Sequence, residues 1–361
     1  MTIPGTMKAF VLTGHGGMDK LVYHTGWPVP VAGSGEVLVK VHACGLNNTD
    51  VNTRTAWYSK GVSENTTGGA FDTADDADAA WGGAPITFPR IQGADVCGTV
   101  VVGPDSLLGR RVLIETWLRD WNDPLNVEKI GYFGSECDGG FAEYVKIDER
   151  QVHPVDSDLS DAELATFATS WITAENMLNR ARVGEGDRVL IPGASGGVGS
   201  ALIQLANRRG ATTIAMASTS KHGAVGRFEP HAMLERAPGN LNQALSQAIG
   251  QETVSVVADV VGGSYWPQLI EVLARGGRYT CAGAIAGPMV EMDLRTFYLR
   301  DLTFTGATVV PPGVFADLVG YIARGEVRPA LAATWPLHQL HEAQQAFIAK
   351  NHTGNIVVTM T

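Results

Sequence analysis

The chain has 361 residues, of which 45% are hydrophobic and 18% are charged. This composition is typical of a globular protein in water, and the length fits about two domains. An excess of 37 acidic over 27 basic side chains gives a formal charge of −10, which argues against nucleic acid and anionic membranes as partners. No run approaches the ~18 apolar residues of a membrane span, and no signal-peptide pattern opens the chain. The four cysteines are scattered without C-x-x-C spacing, so we expect a reduced, cytoplasmic protein.

The first part of the chain reads as a β-rich domain, because short apolar runs alternate with Gly, Pro and Asp turns. The predicted strands are Met7–Leu12, Glu36–Ala43, Gly98–Val102, Arg111–Glu115 and Phe141–Ile147. Residues 59–89 show little periodicity, and loops of that length inside compact domains are often lids. Within this stretch Trp81 is the expected anchor.

The second part of the chain alternates strand and helix signals, which predicts a doubly wound parallel sheet. A capping box, Ser160 with Glu163, opens a helix that is expected to run through Trp171. Strands are predicted at Thr212–Ala217, Val254–Val261, Arg278–Ala282 and Leu302–Val309. Two helices, from Pro312 to Gly325 and from His341 to Lys350, precede a last strand, Asn355–Met360, that is expected to return to the first domain.

The stretch from Arg188 to Gly199 reads strand, glycine turn, helix, which is the context of a dinucleotide-binding fingerprint. Glycines allow the backbone to approach a pyrophosphate, and a helix N-terminus offers it N–H groups. The predicted binding residues in this stretch are Ala194, Ser195, Gly196, Gly197, Val198 and Gly199. An ordinary tight strand-to-helix connection is the alternative interpretation of such a pattern.

Four motifs in order resemble the medium-chain dehydrogenase/reductases: residues 35–50, Pro89–Gly98, Asp138–Tyr144 and the fingerprint. The resemblance covers nearly the whole chain from Met7 onward. It implies an α/β protein with a GroES-like β-rich catalytic domain, residues 1–154 and 309–361, and a Rossmann domain with a doubly wound parallel sheet, residues 155–308. The active site of this family lies in the cleft between the two domains.

The resemblance also indicates the branch of the family, because the zinc ligands are missing. Zinc alcohol dehydrogenases have a cysteine where this chain has Asn47, a histidine–glutamate pair where it has Ala94-Asp95, and a cysteine near Ser170. Catalytic zinc needs about three Cys, His or carboxylate ligands, and Asp95 alone cannot supply them. No metal is therefore expected, and the chain resembles the zinc-independent quinone oxidoreductases and related enone reductases.

Three predicted catalytic residues follow from this resemblance: Asn47, Arg54 and Tyr58, at the spacing that the quinone oxidoreductases show. Asn47 can hydrogen-bond a ribose or a substrate carbonyl without a metal, although a loop asparagine can also satisfy its own backbone. Tyr58, with a pKa near 10 when unperturbed, would be protonated at neutral pH and able to donate; it could equally be an aromatic wall of the cleft. Arg54 is expected to pair with Asp95.

The cofactor is expected to be NADPH, because no acidic residue follows the second strand until Glu229. Hydroxyl groups and a lysine suit a 2′-phosphate, which a carboxylate would repel; an incidental polar turn is the alternative. The remaining predicted cofactor-binding residues are Thr173, Ser218, Thr219, Ser220, Lys221, Val260, Val261, Gly283 and Ala284.

These interpretations together predict an NADPH-dependent oxidoreductase that transfers hydride to a quinone or to the activated C=C of an enone, a small-molecule substrate. An enoyl-thioester reductase would share every motif, but it needs a basic track for carrier phosphates, which the sequence does not show. A protein that binds NADPH with little catalysis is the alternative from another class. The apolar alternation of Leu302 and Phe304 on an edge strand predicts a homodimer or homotetramer.

Overall fold

The computed structural model describes residues 2–66, 74–75, 77–83 and 85–360. They form two compact units. The first combines the N-terminal segment to Val62, the segment that ends at Thr169 and the C-terminal segment from Pro311. The second combines Ser170–Val310 with a short segment that begins at Ser63. The boundary thus falls at Thr169, whereas the sequence predicts it at residue 154, because residues 155–169 pack with the first unit.

Both units contain strands and helices. The strands are β1 (Thr6–Leu12), β2 (Leu21–Pro28), β3 (Glu36–Gly45), β4 (Asp95–Val102), β5 (Arg111–Ile114), β6 (Trp117–Leu118), β7 (Gly131–Tyr132), β8 (Tyr144–Asp148), β9 (Val152–Pro154), β10 (Arg188–Ile191), β11 (Thr212–Ala217), β12 (Ala232–Glu235), β13 (Val254–Asp259), β14 (Leu273–Cys281), β15 (Thr303–Gly306), β16 (Leu331–Pro336) and β17 (Asn355–Thr359). The helices are α1 (Asn48–Arg54), α2 (Asp161–Leu164), α3 (Ala168–Arg180), α4 (Gly197–Arg208), α5 (His222–Gly226), α6 (Leu241–Ile249), α7 (Trp266–Glu271), α8 (Leu294–Leu299), α9 (Val314–Ala323) and α10 (Leu340–Ile348).

The first unit is built on a seven-stranded sheet in the order β16-β17-β3-β4-β5-β9, with β8 also paired to β3. Its central strand β3 is almost wholly buried, as a near-continuous apolar run predicts. The last strand, β17, pairs antiparallel with β3, with Val357 opposite Gly45. The expectation that the C-terminal strand returns to the first domain is therefore confirmed.

The second unit contains a six-stranded sheet in the order β12-β11-β10-β13-β14-β15, and all of its strand pairs are parallel. This is the strand order of the Rossmann fold, whose ligand lies at the carboxyl ends where the order reverses, in this chain between β10 and β13. A cluster of buried apolar side chains, including Leu190, Ile214 and Val257, fills the space between this sheet and its helices. The predicted fold class is confirmed.

Several elements differ from the sequence expectation, among them the strands β2 and β16, which were not predicted. The helix that begins at Ser160 ends at Leu164, and a new helix begins at Ala168. The capping box itself is present, with Glu163 N donating to Ser160 Oγ at 3.3 Å. Strand β12 was not predicted, because it has only four residues and they carry no apolar alternation. Among the described residues no helix has the length and apolarity to cross a membrane.

Candidate active site

The first predicted catalytic residue, Asn47, lies between β3 and α1 and is buried. Its backbone N–H donates to Oδ2 of Asp50 at 2.7 Å. The other oxygen of Asp50 accepts the N–H of Gly93 at 3.2 Å, and its backbone carbonyl accepts from the Gln92 side chain. Asp50 thus joins the start of α1 to the loop before β4 and holds Asn47 at a fixed place.

The second carboxylate of this region, Asp95, opens β4 and is fully buried. Its Oδ1 accepts two hydrogen bonds from Thr169, one from the backbone N–H at 2.8 Å and one from the hydroxyl at 2.5 Å. The amide of Asn47 lowers the pKa of Asp95, yet neither Asn47 Nδ2 nor Asp95 Oδ2 completes a hydrogen bond with the described part of the chain. A buried donor and a buried acceptor therefore remain unsatisfied side by side, an arrangement that a ligand could relieve.

Both carboxyl groups titrate far above their usual range. Burial raises the pKa of Asp50 to about 7, since loss of water penalises the charged form, and the charge of Asp95 adds to this. Burial likewise raises the pKa of Asp95 to about 6, against the opposing effects of the Thr169 hydrogen bonds and the nearby Asn47 amide. Two interacting carboxyl groups release their protons as a pair. The pair is therefore partly protonated near neutral pH, which is the range in which enzymes exchange protons.

Tyr58 is half-buried beside α1. Burial raises the pKa of its phenol, while hydrogen bonds from Thr49 and Asn52 act in the opposite direction. The phenol is consequently protonated at neutral pH, in agreement with the sequence-based expectation. Since Thr49 lies on the same first turn of α1 as Asp50, Tyr58 and Asn47 are positioned by the same short helix.

Arg54 does not belong to this group, and the expected pairing with Asp95 is wrong. Its Nε donates to Gln344 Oε1 at 3.2 Å and one terminal nitrogen donates to the Gly16 carbonyl at 2.8 Å. Arg54 lies at the C-terminal end of the seven-residue helix that Asn47 precedes, so its side chain leaves on a different face. Asp95 instead receives its partners from Thr169, at the first turn of α3.

The residues at the zinc-ligand positions of the zinc alcohol dehydrogenases cannot hold zinc. Asn47 presents a neutral amide and Ala94 a methyl group, and both are buried in the first unit. Throughout the described residues, no three His, Cys, Asp or Glu side chains come together as a metal site requires.

In the second unit, the fingerprint forms the predicted strand, turn and helix. Strand β10 ends at Ile191, and α4 begins at Gly197 with Gly196 as its N-cap. A Cβ added at Gly199 would lie 2.6 Å from Ala194 Cα, and one added at Gly193 would lie 2.9 Å from Val261. These glycines leave the turn tightly packed, and residues Ser195 to Val198 remain partly exposed around the helix N-terminus. The turn fits a dinucleotide pyrophosphate.

The turns after β13 and β14 lie next to each other, as their predicted role requires. The N–H of Ile285 donates to the Val260 carbonyl, and the N–H of Ala286 donates to the Val261 carbonyl at 2.8 Å. Buried Asp259 fixes the first of these turns, because it accepts the N–H of Val261 at 2.7 Å and the hydroxyl of Tyr279 at 2.9 Å. Val260, Val261, Gly283 and Ala284 thus form one surface with the fingerprint turn. Sequence reasoning missed Asp259, which lies within the predicted strand Val254–Val261 and ends the observed strand β13.

The residues after β11, which are predicted to bind the 2′-phosphate, have an acidic side chain among their contacts. Ser218 to Lys221 follow the strand as predicted, but the hydroxyl and the N–H of Thr219 donate to the carboxylate of Glu235. Strand β12 pairs Glu235 with Ala217, so an acidic group that lies beyond Glu229 in the sequence does stand at the carboxyl end of the sheet. Burial and the positive charge of Arg236 lower the pKa of Lys221. Two cationic groups and one carboxylate therefore share this edge.

The last predicted cofactor residue, Thr173, lies on α3 and is half-buried.

A cavity of about 440 Å³ also opens in the first unit, lined in part by Trp27, Arg90, Trp121, Cys137 and Lys146. None of the predicted site residues lines it.

Comparison with known proteins identifies a matching family model for each of the two units. The family model described as "Alcohol dehydrogenase GroES-like domain" matches residues 33–157, and the one described as "Zinc-binding dehydrogenase" matches residues 197–324. Together they span more than half of the chain. The chain belongs to the medium-chain dehydrogenase/reductase superfamily. The description "Zinc-binding dehydrogenase" is that of the family model, and it does not supply the ligands that this chain lacks.

Three similar proteins illustrate where the chain lies in the superfamily. The solved structure of a candidate alcohol dehydrogenase from Sinorhizobium meliloti 1021 is 42% identical, covers 99% of this chain and 97% of its own, and has a TM-score of 0.89. Quinone oxidoreductase of Mus musculus is 23% identical over 98% of both chains. Acryloyl-coenzyme A reductase of Metallosphaera sedula is 24% identical over 98% of this chain and 100% of its own. The chain is thus a quinone oxidoreductase-like member and an oxidoreductase.

Proposed function

We propose that the protein is a zinc-independent, NADPH-dependent reductase that transfers hydride to a quinone or to the activated C=C of an enone. The observation that carries this proposal is the unsatisfied amide nitrogen of Asn47, buried beside the carboxyl group of Asp95. At this position a zinc enzyme would have a ligand, whereas this chain holds a neutral donor ready for an oxygen atom. A carbonyl oxygen of the substrate is the acceptor that such a donor suits.

The chain's own residues supply binding, orientation and protons. NADPH, when bound, supplies the hydride. The amide of Asn47 donates to the substrate carbonyl and stabilises negative charge as it develops there. The Tyr58 hydroxyl, protonated because burial raises its pKa, gives a proton to the carbon next to the carbonyl. Arg54, buried against Gly16 and Gln344, keeps only a structural role.

The second unit would hold the cofactor through its sheet edge. The N–H groups at the start of α4, from Gly196 to Gly199, would bind the pyrophosphate. Lys221 would bind the 2′-phosphate, with Arg236 nearby. The negative charge of Glu235, which accepts a hydrogen bond from Thr219, would oppose binding of the phosphate. Two cations against one carboxylate favour NADPH over NADH by charge.

A second candidate function is reduction of an enoyl thioester. The full-length similarity to acryloyl-coenzyme A reductase favours it, and the reaction at the C=C would use the same residues. The formal charge of −10 and the absence of a basic track in the sequence argue against binding of a carrier rich in phosphate. A protein that binds NADPH with little catalysis is the third candidate.

One experiment separates the three candidates. NADPH and NADH oxidation is followed with a panel of quinones, enones and enoyl-coenzyme A esters, together with the affinity for each cofactor. We expect turnover of quinones or enones with NADPH as the better cofactor. Faster turnover of the thioesters would support the second candidate, and tight NADPH binding without turnover of any substrate would support the third.

We also propose a cytoplasmic homodimer or homotetramer. Strand β15 lies at the edge of its sheet, and Leu294 and Tyr298, on the adjacent helix α8, are 66% and 60% exposed. An unpaired edge beside exposed apolar side chains favours pairing with a second copy.

A further inference from the structure

Asp259 is a buried carboxylate at the end of β13, next to the turn that is expected to contact the cofactor. The residue is 0% exposed. Its Oδ1 accepts the N–H of Val261 at 2.7 Å, and its Oδ2 accepts the Tyr279 hydroxyl at 2.9 Å. The N–H of Gly262 is shared by the two oxygens, at 3.3 and 3.2 Å. Both oxygens thus face hydrogen-bond donors, which is the arrangement that suits an ionised carboxylate.

The turn that Asp259 holds contacts the rest of the cofactor surface. Its residues Gly262 and Gly263 have φ angles of +60° and +70°, a left-handed backbone that glycine adopts readily because it lacks a Cβ. A Cβ added at Gly193 would lie 2.9 Å from Val261 Cγ2, so the Val261 side chain packs closely on the fingerprint turn. Because the N–H groups of Val261 and Gly262 bind one carboxylate, Asp259 fixes the place of this contact.

No positive charge contacts Asp259 within the part of the chain that the structure describes. The titratable groups beside it are the Tyr279 phenol and the Cys281 thiol. Both stay protonated, since burial raises their pKa values and the charge of Asp259 adds to this. Burial also raises the pKa of Asp259, whereas the hydrogen bonds from Val261, Tyr279 and Gly262 favour its charged form. Asp259 therefore carries a negative charge that no counter-ion among the described residues neutralises.

Asp259 belongs to the half of the sheet that is expected to bind the nicotinamide mononucleotide. A Rossmann sheet consists of two halves, and each half binds one mononucleotide of the cofactor. Lys221, the residue proposed for the adenosine 2′-phosphate, follows β11 in the half formed by β10, β11 and β12. The other half, formed by β13, β14 and β15, is therefore left for the nicotinamide. Asp259 ends the first strand of this half, and Tyr279 lies on the second.

We propose that Asp259, held by Tyr279, stabilises the positively charged oxidised nicotinamide ring relative to the neutral reduced ring. This inference rests on the proposed function. When the hydride leaves C4 of the ring with its electron pair, the substrate gains the hydride and one positive charge remains on the ring. Opposite charges attract more strongly in a protein interior than in water, because the effective dielectric constant is lower. A buried carboxylate without a counter-ion therefore favours the oxidised ring and makes the bound cofactor a stronger hydride donor.

Tyr279 is the positioning residue of this pair. Its ring centroid lies 5.7 Å from that of Trp266 and 5.2 Å from that of Phe304, and these contacts hold the phenol in place. Tyr279→Phe removes the hydroxyl and leaves Asp259 bound to two backbone N–H groups. Asp259→Asn removes the charge and keeps an oxygen that can accept the N–H of Val261. The two substitutions thus separate the effect of the charge from the effect of one hydrogen bond.

The test measures the dissociation constants of NADP⁺ and NADPH by isothermal titration calorimetry in the wild type and in each variant. A third ligand, 2′,5′-ADP, carries the adenosine half alone and reports whether the rest of the site is intact. Asp187→Asn is the matched control for loss of a carboxylate, since Asp187 pairs with Arg278 and precedes β10, at the opposite end of the sheet from Asp259. Tyr265→Phe is the control for loss of a tyrosine hydroxyl, which at this position donates to the Pro238 carbonyl at 2.8 Å.

We expect Asp259→Asn to weaken NADP⁺ binding by about 5- to 50-fold and NADPH binding by less than about threefold, and to leave 2′,5′-ADP binding unchanged. Tyr279→Phe should weaken both forms of the cofactor by the same factor, about two- to tenfold, because the charge remains. Neither control should alter the ratio of the two dissociation constants. An unaltered ratio in a folded Asp259→Asn protein, or an equal loss for all three ligands, would overturn the inference alone.

The wild type supplies a second measurement, which does not depend on the folding of any variant. We expect it to bind NADP⁺ at least as tightly as NADPH, and tighter binding of NADPH would overturn the inference. A wild-type protein that binds neither form of the cofactor would instead overturn the proposed function.

Discussion

Thr169 donates both its backbone N–H and its hydroxyl to the same oxygen of Asp95, at 2.8 and 2.5 Å. The N–H belongs to the first turn of α3, where helix N–H groups lack partners within the helix. Asp95 therefore caps the first turn of α3 and links it to β4. This contact replaces the expected Arg54–Asp95 pair, and among the described residues no cation contacts the carboxylate.

The first prediction concerns the pH dependence of stability. The pKa values of Asp50 and Asp95, about 7 and about 6, lie above the ordinary 3.8, so the folded state holds protons that the unfolded state releases. Their contribution to stability is fully present below about pH 4 and is lost as pH rises to about 7. We expect the free energy of unfolding to fall by roughly 4–7 kcal/mol over this range, measured by urea denaturation.

The two carboxyl groups should respond differently to amide substitution. Asp95→Asn keeps the oxygen that Thr169 uses, since Oδ2 has no hydrogen-bond partner in the described structure, and it should flatten the pH dependence at little cost. Asp50→Asn places an NH₂ group against one of two backbone N–H donors, and should destabilise by about 1–3 kcal/mol. Equal effects of the two substitutions would contradict this account.

The second prediction is that the purified protein contains no stoichiometric zinc. Asn47 and Ala94 provide no ligand where zinc enzymes have two, and the described residues hold no alternative cluster. Elemental analysis should find well below one zinc per chain, and a chelator should leave activity unchanged. Activity that is lost to a chelator and restored by zinc would contradict it.

The third prediction concerns cofactor choice. Removal of a charge-assisted hydrogen bond costs about 1.5–3 kcal/mol, so Lys221→Ala should weaken NADPH binding roughly ten- to a hundredfold and leave NADH unchanged. Glu235→Gln should strengthen NADPH binding, because it removes the carboxylate that holds Thr219. Arg275→Ala is the matched control, since this exposed arginine lies at the opposite end of the sheet, near the start of β14. Isothermal titration calorimetry measures each affinity, and an equal loss for both cofactors would make Lys221 structural.

The sequence predicted the two-part fold well, because apolar runs and the glycine turn depend on local spacing. The family motifs in the sequence identified Asn47, Tyr58 and the fingerprint as candidate site residues. The sequence could not predict that Asp95 meets Thr169, 74 residues away, or that Glu235 reaches Thr219 from an exposed four-residue strand. Such contacts depend on how distant elements pair, and a polar residue carries no periodic signal for its partner. The lid expected in residues 59–89 stays a prediction, since residues 67–73, 76 and 84 lie outside the described structure.

The fourth prediction concerns assembly. The edge strand β15 and the exposed side chains of Leu294 and Tyr298 should pair with a second copy. Light scattering should therefore give at least twice the chain mass of 38.3 kDa, and the double substitution Leu294→Glu with Tyr298→Glu should shift the protein to a monomer. A wild-type monomer at micromolar concentration would refute the pairing.

The fifth prediction concerns Tyr58. If its hydroxyl gives the proton, Tyr58→Phe should lower kcat for an enone by about 10²–10⁴, while cofactor affinity stays the same because the ring is retained. If the ring only shapes the site, Phe should behave like Tyr and Tyr58→Ala should raise KM instead. Steady-state kinetics on a good enone distinguishes the two roles, and wild-type kcat in Tyr58→Phe would remove this residue from the chemistry.

The central claim is that this chain passes hydride to an activated C=C without a metal. It is tested most directly by a single turnover of an enone with NADPH that carries deuterium at C4 of the nicotinamide, on chelator-treated protein in ordinary water. We predict a saturated ketone with one deuterium at the β-carbon, from one face of the nicotinamide, and a solvent-derived hydrogen at the α-carbon. A product without deuterium, or no product until zinc is added, would contradict the account.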